Sequence, residues 1–348
     1  MESIPILIKM FCLAAMAFIV AILLTPPFTD FLYKNKIGKK IRAEGDTPVF
    51  SKLHAKKAGT PTMGGILIWF TTAVLALSFW FLDRVVHLDY FHYLNFLSRQ
   101  QTLLPLGVLL ATALLGLFDD YLGVVGRGGG KGGGMRMRHR LAFYSLVAVV
   151  GAYWFYYKLG FDILHVPGLG DWHLGLWYIP FFIFVVISTS FSVNETDGLD
   201  GLAAGVLGIC FFAFGTIAFV QGRYDLATFT AVMVGSLLAF LWFNIYPARF
   251  IMGDTGSMSL GTVLAVIAFY TNSVFVLPII GFVLVLESGS VIIQIGARKI
   301  FKKKVFLSAP IHHHFEALGW PETKVTMRFW VITAMSAAVG VAISLVGR

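Results

Sequence analysis

Residues 202–220 read LAAGVLGICFFAFGTIAFV, a run of 19 residues that contains no charged side chain. An α-helix of roughly 20 apolar residues is long enough to cross the hydrocarbon core of a bilayer. Such runs dominate the chain, because apolar residues make up 57% of its 348 residues and charged residues only 13%. Soluble domains contain about 25% charged residues, so the composition excludes a soluble enzyme. We therefore predict an all-α polytopic membrane protein that forms a single integral membrane domain over residues 1–348.

Nine further runs have the composition of membrane-spanning helices. Together with the first run, the predicted spans are about residues 4–25, 64–82, 103–118, 141–157, 175–193, 202–220, 227–243, 257–271, 275–297 and 327–346. The two cysteines, Cys12 and Cys210, lie in separate apolar runs, so the sequence predicts neither a disulfide framework nor a cysteine-based metal site.

The orientation of these about ten spans follows from the basic residues. Alternate loops on one side hold 21 of the 27 lysines and arginines. Basic residues accumulate in the cytoplasmic loops of membrane proteins, so we expect that side in the cytoplasm and both termini in the periplasm. The same bias accounts for the net charge of +9, and no nucleic-acid partner is predicted.

Carboxylate and amide side chains cluster on the predicted cytoplasmic face. They lie at the ends of the third, fifth and seventh spans and at the start of the eighth, and are Asp119 and Asp120, then Asn194, Asp197 and Asp200, then Asn244, and finally Asp254. The spacing of three residues from 194 to 200 would align those side chains on one face of a helical turn. Any one of these residues could be a solvated loop residue, and Asp200 or Asp254 could cap the following helix. Carboxylates gathered at a bilayer boundary repel one another unless a cation joins them, and oxygen ligands suit Mg²⁺.

Basic and histidine residues complete the polar face. Lys57 precedes the glycine-rich stretch GTPTMGG, and Lys131 lies inside a glycine run at 126–134. That run is not a Walker motif, since no Ser or Thr follows the lysine, and a flexible loop is the alternative reading. The lysine could nevertheless neutralise charge on phosphates held by a metal. His312, His313 and His314 are consecutive, so their side chains diverge and a zinc site is not predicted.

Three classes of function remain open on these residues. The first is a Mg²⁺-dependent phosphoryl-transfer enzyme on the cytoplasmic face, where the N–H groups at the start of the eighth span would also point at anions. The second is a secondary transporter, although transporter sites lie near the bilayer midplane. The third is a membrane scaffold that associates through the small-residue spacing of Gly201 and Gly205.

Taken in order, the motifs resemble one known family. They are Lys57 with GTPTMGG, DDY at 119–121, Asn194 with TDGLDGLA, Phe243-Asn244 with YPA, MGDTGS at 252–257 and APIHHHFE at 309–316. Over about residues 30–330 the chain resembles the phospho-N-acetylmuramoyl-pentapeptide transferases, members of the polyprenyl-phosphate N-acetylhexosamine-1-phosphate transferase superfamily. The APIHHHFE block distinguishes this family from the related N-acetylglucosamine-1-phosphate transferases, whose donor, UDP-N-acetylglucosamine, is the alternative.

The resemblance implies an activity and a setting. Undecaprenyl phosphate would attack the β-phosphate of UDP-N-acetylmuramoyl-pentapeptide, giving lipid I and UMP for peptidoglycan synthesis, and hence for cell shape and division. The enzyme would lie in the bacterial cytoplasmic membrane with its site facing the cytoplasm, and the family tends to form homodimers.

The resemblance also implies residue roles. Asp119, Asp120 and Asp254 would be the catalytic acids and the Mg²⁺ ligands, with Asp254 foremost. The expected substrate contacts are Lys57, Asn194, Asp197 and Asp200 toward the nucleotide, Lys131 toward the pyrophosphate, and His312, His313 and His314 toward the sugar phosphate or peptide, with Asn244 as a further substrate-binding residue. The family has a phenylalanine, expected to stack on uracil, where this chain has Ile251 next to Phe250.

Two questions of mechanism stay open at this point. Asp119 is either a nucleophile that forms an aspartyl-phosphate or a group that orients or deprotonates the lipid phosphate. A phosphate monoester has a second pKa of about 6, so a strong base is not required and direct displacement is favoured. Glu287 either shapes a groove for the lipid tail or forms a hydrogen bond with Gln294 or a neighbouring helix.

Overall fold

Long helices form most of the protein. The computed structural model describes residues 3–38, 57, 59–86, 88–130 and 133–346. The helices are α1 Ser3–Lys34, α2 Ile66–Val86, α3 Asp89–Leu94, α4 Leu103–Val125, α5 Met137–Tyr153, α6 Tyr178–Thr196, α7 Leu202–Val220, α8 Tyr224–Asn244, α9 Asp254–Tyr270, α10 Leu277–Ile280, α11 Phe282–Ile300, α12 Ile311–Ala317 and α13 Glu322–Val346. Two short strands, β1 Ile163–Val166 and β2 Gly170–His173, lie between α5 and α6.

Seven of the described helices are long and apolar enough to cross a membrane. They are α1, α2, α4, α6, α7, α8 and α13, and the segment 274–300 becomes an eighth candidate if its two parts, bent by 82° at Gly281, count as one span. The multi-pass helical class is therefore confirmed. The predicted spans at 141–157 and 257–271 coincide with α5 and α9. Helix α9 has 17 residues, and at a rise of 1.5 Å per residue it is shorter than the roughly 30 Å hydrocarbon core. Helix α5 continues into a π-helical segment, Trp154–Lys158. Neither helix is among the candidate spans, so the number ten stays a prediction, as do the periplasmic termini.

The strands correct the all-α prediction. β1 and β2 pair antiparallel, with Ile163 opposite His173 and Val166 opposite Gly170. The connection contains Gly168, and Gly170 begins β2; both have positive φ, a conformation that tight hairpin turns require and that glycine adopts without steric cost. The hairpin is short, and its composition gives no apolar run, which is why hydropathy alone did not reveal it.

Helix α9 lies at the centre of the bundle. Every residue from Thr255 to Tyr270 is buried, as expected for a helix that is apolar on all sides. It packs mainly against α4 and α6. On α4, Gly116 allows this close approach, because a Cβ there would overlap the backbone of Asp254. The buried helix therefore brings its first residues directly against the end of α4 that carries Asp119 and Asp120.

Candidate active site

The first turn of α9 organises the polar cluster. Asp254 is the first residue of this helix. Its Oδ1 accepts a hydrogen bond of 2.8 Å from Nδ2 of Asn194, and the same amide nitrogen donates to Oγ of Ser257 at 2.9 Å. Its Oδ2 lies 2.8 Å from Nη2 of Arg140. The carboxylate of Asp254 is thus held between the end of α6 and the start of α5.

Arg140 joins two of the predicted catalytic carboxylates. Its Nε forms an ion pair with Oδ2 of Asp119, while its Nη2 pairs with Asp254. Asp119 is only 2% exposed, and its Oδ1 accepts the backbone N–H of Met135. One guanidinium therefore reaches both carboxylates, and the predicted convergence of distant parts of the chain holds for Asp119 and Asp254.

Asp120 accepts hydrogen bonds from the backbone at the start of α9. Its Oδ1 accepts the N–H of Asp254 at 3.1 Å, and its Oδ2 accepts the N–H of Thr255 at 3.0 Å. Gly253 precedes this turn with φ of 75°, and a Cβ there would lie 2.6 Å from Oδ2 of Asp120. The first two N–H groups of α9 point at an anion, and that anion is the carboxylate of Asp120; a contact of this helix start with a substrate anion stays a prediction.

The side chains at 194, 197 and 200 do not share one helix face. Helix α6 ends at Thr196, so the chain turns away before the next two carboxylates. Asp197 accepts the N–H of Gly253 at 3.1 Å, whereas Asp200 accepts the N–H of Ala248 at 3.0 Å. The aligned-face prediction is corrected for this reason: Asp197 contacts the residue before α9, whereas Asp200 contacts the connection between α8 and α9.

Lys57 forms ion pairs with two carboxylates. Its Nζ is 2.6 Å from Oδ1 of Asp200 and also pairs with Oε1 of Glu322. Glu322 in turn accepts the N–H of Asp200 at 2.6 Å. Burial by itself lowers the pKa of Lys57, and the charges of Glu322 and Asp200 outweigh it, so the pKa is raised above its ordinary value. The lysine stays charged and fixes the loop of Asp200; its contact with the nucleotide stays a prediction.

Asn244 fixes two backbone segments. Its Oδ1 accepts the N–H of Gly201 at 3.0 Å, and its Nδ2 donates to the carbonyl of Phe250 at 2.8 Å. Phe250 is fully buried and packs 5.5 Å from the ring of Phe240. Its ring is therefore part of the core, whereas the neighbouring Ile251 is partly exposed; a contact of either side chain with uracil stays a prediction.

His312 is buried in contact with an acid of α11. Its Nδ1 lies 2.8 Å from Oε2 of Glu287, and both side chains are inaccessible to solvent. A Cβ on Gly198 would overlap Nε2 of His312, so the histidine reaches the loop between α6 and α7. Of the two alternatives for Glu287, a contact with a neighbouring helix is the one observed, because His312 belongs to α12. Gln294 instead bonds the backbone of residues 305 and 306.

The two following histidines contact other residues than Glu287. Nδ1 of His313 lies 2.7 Å from Oε2 of Glu316, and Nδ1 of His314 accepts the N–H of Leu307 at 3.1 Å. The ring centres of His312 and His313 are 4.0 Å apart, so the prediction that the consecutive side chains diverge is wrong for this pair, although each of the three rings has a different hydrogen-bond partner. Among the residues that the structure describes, no group of three or more His, Cys, Asp or Glu side chains is arranged to hold a metal ion. Lys131 lies outside the described residues.

Sequence reasoning missed two residues of this cluster. Arg140 ends the basic segment MRMRHR, and nothing distinguished it from the other positive charges of that loop. Glu322 lies just before the last apolar run, 122 residues away from the Asp200 backbone that it binds. A single acidic residue just before a membrane span is a sequence signal that could have identified Glu322 as a candidate. Its partners, Lys57 and Asp200, could not be identified in this way, because tertiary contacts determine them.

The fold and the polar cluster together define the class of protein. The chain is a multi-pass helical membrane protein with carboxylates gathered at the start of a buried helix. Residues 102–272 match the glycosyl transferase family 4, a range that contains α4 to α9 and hence both Asp119 and Asp254. Residues 57–68 match signature 1 of the phospho-N-acetylmuramoyl-pentapeptide-transferases.

Proteins that are similar over almost the whole chain identify the family. The phospho-N-acetylmuramoyl-pentapeptide-transferase of Chloroflexus aggregans is 38% identical over 347 residues, which cover 96% of this chain and 89% of that protein. The protein of that name from Anoxybacillus flavithermus is 38% identical over 335 residues, covering 95% of this chain and 97% of its own length. The one from Bacillus subtilis is 38% identical over 332 residues, covering 95% and 96%. The chain belongs to the phospho-N-acetylmuramoyl-pentapeptide-transferase family.

Proposed function

We propose that the protein transfers phospho-N-acetylmuramoyl-pentapeptide from its UDP-linked donor to undecaprenyl phosphate, releasing UMP and forming lipid I. Membership of the family supports this reaction. The observation that carries it is the pairing of Asp119 and Asp254 with the single guanidinium of Arg140 at the start of α9. A phosphoryl-transfer site needs fixed cationic and carboxylate groups around a highly charged substrate, and this cluster supplies both.

Asp119 and Asp254 would hold Mg²⁺. Magnesium is usually bound by one or two carboxylates together with water and substrate phosphates, so a set of two protein carboxylates fits it. Asp120 fits less well, because both of its oxygens accept backbone N–H groups of α9, whereas one oxygen of Asp119 and one of Asp254 are paired with the side chain of Arg140. When bound, the ion would neutralise charge on the pyrophosphate of the donor.

Arg140 and Asp119 would each orient one of the two substrates. A guanidinium offers several donors in one plane and binds phosphate oxygens as readily as carboxylates, so Arg140 would orient the donor pyrophosphate. Asp119 is nearly inaccessible, and both of its oxygens already have partners. This burial favours a carboxylate that orients the lipid phosphate over a free nucleophile, and hence direct in-line displacement.

The one-step route has its own test. Purified protein without lipid acceptor is incubated with the UDP-linked donor and labelled UMP. Direct displacement predicts no label in the donor. Incorporation of label at a rate comparable to turnover would establish a covalent intermediate and contradict the proposed route.

The reaction itself is tested on the full-length protein in detergent. With undecaprenyl phosphate and Mg²⁺, UMP release is expected from UDP-N-acetylmuramoyl-pentapeptide and not from UDP-N-acetylglucosamine. A chelator should abolish release, and added Mg²⁺ should restore it. Equal or faster release from UDP-N-acetylglucosamine would support the related transferase activity, and no release from either donor would reject both reactions.

We also infer the setting of the site. The distribution of basic residues supports ten spans, periplasmic termini and a site that faces the cytoplasm. A bacterial cytoplasmic membrane is the setting in which the polyprenyl phosphate and the soluble nucleotide could meet at this face. Homodimer formation is part of the same proposal and rests on the family alone.

A further inference from the structure

A tryptophan with two cations stands at the beginning of α13. Nζ of Lys324 lies 4.6 Å and Cζ of Arg328 lies 4.4 Å from the ring centre of Trp320. The ring also stacks on Phe315 of α12 at 4.8 Å. We call these three residues, Trp320, Lys324 and Arg328, the cation–tryptophan cluster.

Both cations are exposed and have like charge on one helix face. Residues four apart on a helix are neighbours, and like charges at that spacing destabilise it. Within the described ranges neither Lys324 nor Arg328 forms an ion pair with a carboxylate; the acid of the same turn, Glu322, is bound to Lys57. The cluster therefore presents two positive charges that no carboxylate of the described residues neutralises, and these charges favour the binding of an anion.

The position of the cluster indicates that the anion is a lipid headgroup. Helix α13 is a candidate membrane span, and tryptophan and basic side chains near the end of a span lie at the level of lipid headgroups. Two residues beyond Arg328, Trp330 begins the lining of an apolar groove of about 830 Å³ between α7, α8 and α13. The groove continues along the helix past Gly208 and Leu237 to Leu345. A headgroup anion and an apolar chain are thus accommodated by adjacent parts of one helix.

We propose that the cation–tryptophan cluster binds the headgroup of an anionic phospholipid of the surrounding bilayer, with an acyl chain of that lipid in the groove between α7, α8 and α13. Charge complementarity supplies the preference for an anionic headgroup, since basic residues near the surface attract such lipids. The groove supplies the preference for a lipid over a soluble phosphate, because burial of an alkyl chain is favourable in an apolar site.

Native mass spectrometry of the full-length protein tests this site without reference to catalysis. The protein in detergent is titrated with phosphatidylglycerol or with phosphatidylcholine of identical acyl chains. We expect tighter retention of phosphatidylglycerol, and a loss of roughly tenfold in its affinity in the double variant Lys324→Gln/Arg328→Gln. Glycerol phosphate, the headgroup without chains, should bind far more weakly than the lipid.

Two further variants complete the design. Lys303→Gln/Lys304→Gln removes two exposed charges outside the cluster and should retain the wild-type affinity. Gly208→Leu fills the groove at a position where a Cβ meets no atom within 4 Å, and it should weaken binding of the lipid but not of glycerol phosphate. The proposal is overturned if Lys324→Gln/Arg328→Gln binds phosphatidylglycerol as the wild type does, if the control double variant loses as much, or if Gly208→Leu leaves lipid binding unchanged.

Discussion

At the scale of single residues, Arg140 has the largest effect on the geometry of the site. Asp119 and Asp254 belong to different helices, and their carboxylates would repel one another without a cation between them. Arg140 lies between them and contacts both. Removing one partner of a buried ion pair leaves an uncompensated charge, which typically costs about 3–5 kcal/mol. Because Arg140 is partly exposed, the lower part of that range applies here.

Replacement of Arg140 should therefore affect catalysis and stability together. Arg140→Gln is expected to reduce UMP release about a hundredfold and to lower the melting temperature. Arg140→Lys keeps the charge but cannot reach both carboxylates in one plane, so its activity should lie between those of Arg140→Gln and the wild type. Arg138→Gln, which removes an exposed charge from the same helix, is the matched control and should change neither quantity. Wild-type activity in Arg140→Gln would reject the assigned role.

Asp120 differs from its neighbour in what it binds. Its two oxygens accept the first two N–H groups of α9, so it fixes the turn that carries Asp254. In Asp120→Asn the side chain offers one acceptor and no charge. We expect a loss of about 1–2 kcal/mol of stability, together with reduced turnover because Asp254 shifts.

A metal-binding measurement separates this positioning role from metal ligation. Mn²⁺ binding, followed by electron paramagnetic resonance, should largely persist in Asp120→Asn and should be lost in Asp254→Asn. If Asp120→Asn abolishes Mn²⁺ binding while its fold is intact, Asp120 is a ligand as the sequence first suggested, and the positioning role is wrong.

At the scale of elements, short buried contacts hold the loops of the site to the membrane helices. The contact of His312 with Glu287 joins α12 to α11. Burial by itself lowers the pKa of His312, but Glu287, together with Glu316 and Glu195, raises it above the ordinary value of 6.5. A raised pKa means that the folded protein favours the charged imidazolium. This contribution to stability is complete below the unfolded pKa and is lost as the pH rises through the folded one.

The stability of the wild type relative to Glu287→Gln should accordingly depend on pH. The difference in melting temperature is expected to be largest below about pH 6.5 and to shrink at alkaline pH, where His312 loses its proton. Gln294→Ala, which removes hydrogen bonds to the backbone of residues 305 and 306 without changing a titratable group, serves as the control and should show no such pH dependence. A difference for Glu287→Gln that stays constant between pH 5.5 and 9 would exclude a charged pair, as would one that grows with pH.

At the scale of the whole molecule, the hairpin and the basic loops should lie on opposite sides of the membrane. β1 and β2 lie between α5 and α6, whereas Lys303 follows α11. In a background of Cys12→Ser/Cys210→Ala, a membrane-impermeant maleimide added outside intact cells should label Trp172→Cys but not Lys303→Cys. Trp172 is well exposed on the hairpin, so poor access does not explain a negative result. Labelling of Lys303→Cys from outside, without labelling of Trp172→Cys, would invert the orientation.

The amino-acid sequence by itself determined the membrane class, the approximate position of each long helix, and the carboxylates around which the site is built. Those properties follow from local composition: apolar runs must leave water, and ionised groups must stay near it. Only the tertiary structure decided that Arg140 joins Asp119 to Asp254, that Asp120 binds the start of α9, that Phe250 is a core residue, and that Glu287 meets His312. Each of these contacts depends on which helix packs against which, and that packing is the combined result of many weak apolar contacts along the whole bundle. A basic or acidic residue therefore has the same appearance in the sequence whether it faces solvent or completes a buried pair.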